Sequence, residues 1–99
     1  MERVTVIYPN KADAKFDFVY YMKKHIPFVE GLVGKKIEVR RGISSATGTA
    51  APFVCIATIP VDSLAAFQTI FAQHGAEILA DIPKYTNIDP FVQFDEIVA

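Results

Sequence analysis

Ninety-nine residues make one small domain, residues 1–99, and a net charge of −1 with no basic run longer than two residues leaves no phosphate track, which argues against nucleic-acid binding. The chain is 52% hydrophobic, with eight Phe and four Tyr. A domain this small buries only about 60–65% of its unfolded surface, so the apolar surplus points to a partner copy, a ligand cavity, or both. The single cysteine, Cys55, excludes an intramolecular disulfide and fits a reducing cytoplasm. Nothing at the N-terminus reads as a signal peptide, and no apolar run nears the ~20 residues that span a bilayer. The expectation is a soluble, cytoplasmic protein with no membrane contact.

In chain order, residues 3–8 (RVTVIY) alternate Val4, Val6 and Tyr8 on one face, which predicts a strand ended by Pro9-Asn10. A polar loop, residues 11–15, leads to FDFVYYMKKHIPF at residues 16–28. Asp17 is a suitable helix N-cap, and Phe16 and Tyr21 are spaced as a hydrophobic staple. At about 100° per residue, Phe18, Tyr21, Met22 and His25 share one arc. Pro27 is expected to kink or end that helix. Another turn or two is then expected to run to Gly34.

Residues 36–41 (KIEVRR) alternate as a strand with one wet face. Residues 42–52 form a small, Gly-containing loop whose length makes it a candidate flap over a pocket. Residues 53–59 (FVCIATI) are apolar at nearly every position, as in a central strand. A second helix is expected with Asp62 as its cap, an apolar stripe of Leu64, Phe67, Phe71, His74 and Ile78, and a weak point at Gly75. His74 reads as a surface residue near a helix C-terminus. After a turn-rich stretch at 80–90, residues 91–98 (FVQFDEIV) make a last strand, apolar on both faces. The order β-α-β-β-α-β defines an α+β, ferredoxin-like fold with an antiparallel sheet and both helices on one face. The opposite face is suited to a second copy.

His25 lies near the centre of a face that should be buried. It is either a neutral, hydrogen-bonded core histidine or a cavity-lining one able to move a proton. His74 is the only other histidine, so the chain lacks the three or four ligands a zinc site needs, and no metal is expected. No dinucleotide or phosphate-loop glycine spacing occurs, so no cofactor is expected either.

The blocks YPN (8–10), FDFVYYMKKHIP (16–27), APFVCIA (51–57) and HGAEILADIPKYTNIDPFVQFDEI (74–97) together resemble the EthD family, named for association with ethyl tert-butyl ether degradation. The likeness runs over nearly the whole chain. It implies a dimeric α+β barrel, in which the sheets of two subunits form the barrel and each protomer holds a pocket between helices and sheet. Tyr20, Tyr21 and His25 line up with the family's pocket element. With Met22, Phe71 and Tyr85 they form the expected ligand-binding set. Two functions follow as expectations. One is a cofactor-free enzyme acting on a small apolar or aromatic catabolite, with His25 as general acid or base and Tyr20 or Tyr21 assisting. The other is a non-catalytic homodimer that sequesters a hydrophobic metabolite or passes it to a partner enzyme. Asp81 and Asp89 read as turn and cap residues.

Overall fold

The computed structural model describes residues 1–99. Strand β1 is Glu2–Pro9, and helix α1 covers residues 18–33. Strands β2 (Glu38–Arg41) and β3 (Phe53–Pro60) follow, then helix α2 (Leu64–Asp81) and strand β4 (Phe91–Glu96). The sheet order is β2-β3-β1-β4, antiparallel throughout, so the fold is the α+β, ferredoxin-like one. Strands β2 and β4 come out shorter than their alternation suggests, starting at Glu38 and stopping at Glu96.

Alternation fixes which face meets the helices. Val4, Val6 and Tyr8 pair across β1 and β3 with Ile59, Ala57 and Cys55. Val4, Tyr8, Cys55, Ala57 and Ile59 are all buried beneath the helices. On the other face Ile7 pairs with Ile56 and Phe91, while Thr5 pairs with Thr58 and Gln93 and donates its hydroxyl to Asp95 at 2.7 Å.

Helix α1 begins where the capping chemistry requires. The Asp17 carboxylate accepts the Tyr20 N–H at 3.1 Å, and the Phe16 and Tyr21 rings meet at 4.9 Å. The helix does not end at Pro27 but continues to Val33, as the further turns expected up to Gly34 require, and its regular winding is interrupted just before the proline. Phe18–Tyr20 is α-helical, Tyr21–His25 is a π-helical turn, and Ile26–Val33 is α-helical again. The Ile26 N–H bonds the Tyr21 carbonyl, five residues back, and a fresh α segment starts there. Pro27 falls in the first turn of that segment, where its missing donor is not needed. Gly34, at φ 71°, closes the helix in the left-handed conformation that glycine adopts freely.

Helix α2 is capped by Ser63, whose Oγ accepts the Ala66 N–H at 3.0 Å. Asp62 stands one position too early for that bond, and its exposed carboxylate pairs instead with Lys35 at 2.9 Å. Gly75 does not end the helix. A Cβ there would come within 3.0 Å of the Phe71 ring, so the glycine makes room for an aromatic lying against the helix. The helix runs on to Asp81 and passes into a 3-10 turn, Ile82–Lys84.

The segment after it is tied to the entry of α1. The Asp17 N–H donates to the Tyr85 carbonyl at 2.7 Å, and the Thr86 hydroxyl donates to the Lys15 carbonyl at 2.6 Å. Asn87 Oδ1 accepts the Lys15 N–H at 2.8 Å. The loop 42–52 is bound to itself, through Ser45 and Thr49 hydroxyls at 2.7 Å, and to Asn10. Ser63→Ala is expected to cost about 1 kcal/mol in urea unfolding, whereas Asp62→Ala should change stability by less than about 0.5 kcal/mol because only an exposed ion pair is lost.

Candidate functional site

Between the sheet and the two helices lies a cavity of about 390 Å³, and 14 of its 18 lining residues are hydrophobic. Its size falls within the range of small-molecule sites. Tyr21 and His25 reach it from α1, Phe71 and Ile78 from α2, Tyr8 and Val6 from β1, and Asp89 and Val92 from the chain entering β4. No residue of the loop 42–52 lines it, so that loop is not a flap over this space; it borders Phe18 and Arg41 at the end of the sheet instead.

The π turn arranges the polar side of the cavity. Tyr21 and His25 stack at 5.5 Å with their rings 15° apart. His25 is buried, and its Nδ1 lies 2.9 Å from Asp81 Oδ2. The other carboxylate oxygen, Oδ1, accepts the Tyr20 hydroxyl at 2.7 Å. The Lys84 ammonium stands 3.8 Å from Oδ1 on the solvent side. One carboxylate is thus shared between a histidine and a tyrosine of the same helix.

The electrostatics settle where the charge resides. Burial lowers the His25 pKa from its ordinary 6.5, against the raising effect of the Asp81 hydrogen bond and charge. Burial opposes ionisation of Asp81, but hydrogen bonds from Tyr20 and His25 and the nearby Lys84 charge outweigh it and lower its pKa. The carboxylate is the wetter partner, its side chain 17% exposed against 7% for the imidazole. The pair therefore rests as neutral imidazole and carboxylate, with Nδ1–H donating to Asp81. His25 Nε2 has no protein partner and no buried polar side-chain atom is left unsatisfied, so this lone pair is open to the cavity.

The phenols below behave differently. Tyr8 and Tyr85 share a hydrogen bond at 2.7 Å, and burial pushes the Tyr8 hydroxyl up to about 12. Burial likewise raises Tyr21 and Tyr85, and it lifts the Cys55 thiol to about 11, so Cys55 is an inert core residue. Tyr20 is raised by its bond to Asp81.

Of the six expected ligand-binding residues, Tyr21, His25 and Phe71 line the cavity. Tyr85 packs 4.8 Å from the His25 ring but is buried behind the cavity wall. Tyr20 faces Asp81 in a shallow surface hollow with Lys24 and Glu77. Met22 is exposed and does not line the cavity, because the widened turn aligns Tyr21 with His25 and directs the next position outward. His74 is a surface residue, 3.3 Å from Glu77. Asp81 is the site residue that sequence reasoning passed over. Its only sequence signal is a carboxylate near the end of a helical stripe, which a cap explains as well. No group of three or more His, Cys, Asp or Glu side chains is placed to hold a metal.

A four-stranded antiparallel sheet carrying two helices, with an apolar cavity and a His–Asp pair between them, defines an α+β protein of ferredoxin-like fold. Residues 10–89 match the EthD domain. The chain belongs to the EthD family. An EthD-like protein from Ralstonia eutropha JMP134 is 37% identical with a TM-score of 0.91, over 99% of this chain and 92% of that one. An ethyl tert-butyl ether (EthD) family protein from Bacillus halodurans C-125 shares the fold at TM-score 0.66 and 16% identity, over 98% and 99% of the two chains. Comparison with curated proteins gives no match.

The lowered His25 pKa makes stability depend on pH. Below 6.5 the unfolded chain takes up a proton that folded His25 resists, so stability falls as pH drops through that value towards the folded pKa. Asp81 acts lower down, its contribution being present above 3.8 and lost as pH falls through its depressed folded value. In an NMR titration His25 is expected to show the Nδ1–H tautomer and a pKa below 6.5. Asp81→Asn removes the anion and leaves burial, so the His25 pKa should fall further. A rise in that variant would show that the carboxylate does not favour the imidazolium.

Proposed function

We propose that this EthD-family chain works as a homodimer whose cavity takes a small apolar or aromatic catabolite, with His25 as general acid or base. The observation that carries this reading is a neutral imidazole opening on an apolar cavity while its other nitrogen is fixed by a carboxylate. In such a pair the carboxylate sets the tautomer and stabilises the imidazolium formed when Nε2 takes a proton. Asp81 is then a positioning residue, and Tyr20 holds the second oxygen of Asp81. Tyr21, beside His25, orients the ligand; Phe71 supplies apolar contact. Met22 and Tyr85 would act only through their neighbours.

The homodimer is supported by the distribution of exposed apolar groups. Phe91 lies on the helix-free face of β4, and Val92 and Phe94 lie on the helix side of the same edge strand; all three are exposed. A groove of Phe67, Phe71, Val92 and Phe94 adjoins the cavity. Uncovered apolar surface of this kind suits a second copy.

The carrier reading draws on a different observation: besides His25 and the exposed Asp89, the cavity lining is apolar or phenolic and holds no Ser, Thr, Cys or Lys. Thermal stabilisation across a panel of aromatic alcohols, ethers, lactones and acids, followed by turnover assays on whatever binds, separates the two. For an enzyme, His25→Gln should retain binding and lose about 10²–10⁴-fold in kcat, the usual share of one general base. Binding without conversion by the native chain would favour the carrier. Sedimentation equilibrium should give twice the protomer mass; a monomer at micromolar concentration would overturn the dimer.

A further inference from the structure

We infer that the cavity selects uncharged molecules bearing a hydroxyl donor on an apolar body, phenols and enols among them, and rejects carboxylates. The inference deepens the proposed function and rests on its reading of the cavity as a ligand site.

Selection against anions follows from what the cavity lacks and what stands at its rim. No Lys or Arg lines it. Lys84 lies outside, its side chain 65% exposed and directed to Asp81 at 3.8 Å. Asp89 does line the cavity and is exposed, so an entering carboxylate approaches a like charge. An anion that reached the interior would lose its hydration without gaining a cation.

Selection for a hydroxyl follows from the histidine. Nδ1–H is committed to Asp81, so the neutral ring offers the cavity a lone pair at Nε2 and no proton. A ligand hydroxyl can donate to it. Ethers, ketones and carboxylates only accept, and they leave the Nε2 lone pair unmatched. The Tyr8 and Tyr85 hydroxyls share one hydrogen bond at 2.7 Å, and neither bonds His25, so the Nε2 lone pair is left to the ligand's donor. The remaining surface is aliphatic and aromatic, and about 390 Å³ accommodates a two-ring aromatic.

Three probes of one shape test this by isothermal titration calorimetry at pH 7.5: 2-naphthol, neutral with a donor; 2-methoxynaphthalene, neutral without one; and 2-naphthoate, an anion. 2-Naphthol is expected to bind about tenfold more tightly than the methoxy compound, the value of one hydrogen bond in a dry site, and more tightly still than 2-naphthoate. In Asp89→Lys, which replaces the exposed carboxylate at the cavity rim by a cation, the preference for 2-naphthol over 2-naphthoate should narrow by roughly threefold. Equal binding of 2-naphthoate and 2-naphthol by the native chain overturns the inference while the cavity still stands as a ligand site. Equal binding of 2-naphthol and 2-methoxynaphthalene overturns the donor requirement in the same way. If none of the three binds, the cavity reading itself fails and takes the inference with it.

Discussion

The Asp81 carboxylate is the interaction on which the arrangement of this molecule turns. It closes the C-terminal end of α2 against α1 with one oxygen on Tyr20 and the other on His25. Those two residues are five apart, and at 3.6 residues per turn a five-residue step points about 140° away. A regular α-helix could not present both to one carboxylate. The π turn at Tyr21–His25 winds more slowly, which brings the fifth residue back towards the first. The same turn stacks Tyr21 on His25 and restarts the helix at Ile26, so that Pro27 fits. One local departure from α geometry accommodates the proline and assembles the polar cluster.

Placing the charge on Asp81 instead of His25 is a consequence of where each partner meets water. A charge taken fully into an apolar interior costs several kcal/mol even after relaxation. The carboxylate keeps some solvent contact and receives hydrogen bonds from Tyr20 and His25, whereas the imidazole faces an apolar cavity. The low-energy division is an anion at the wetter end and a neutral ring at the drier one. That leaves the cavity uncharged on its histidine side while a proton acceptor still points into it.

The elements that were legible in the sequence owed their clarity to strong local rules. Alternation at Val4, Val6 and Tyr8, the Asp17 cap and the Phe16–Tyr21 staple need only neighbours in the chain, and they hold in three dimensions. The family blocks likewise led to the fold. Illegible features were those decided by a competition between local rules or by distant contacts. Pro27 ordinarily breaks a helix, and nothing in its own spacing announces a π turn. Ser63 and Asp62 are both good caps, and only backbone geometry selects Ser63. Gly75 suggests a weak point in the helix, yet its lack of a side chain serves Phe71 packing, and the helix beyond it delivers Asp81. The His25–Asp81 pair spans 56 positions, which periodicity cannot see.

Composition announced an apolar surplus, and the fold divides it between an interior space and an uncovered edge. The division is not clean, because β4 is an edge strand that α2 covers incompletely, Phe67 standing 6.1 Å from Phe94 over an open groove. Val92 and Phe94 therefore point to the helix side and still remain exposed. Phe67, Phe71 and Val92 border both the cavity and the adjoining groove. Covering that groove would narrow access to the cavity, and filling the cavity would alter the surface offered to a partner. In the proposed homodimer, assembly and ligand occupancy would therefore be coupled through the same three side chains. Such coupling would need no moving lid, since packing alone joins the two spaces.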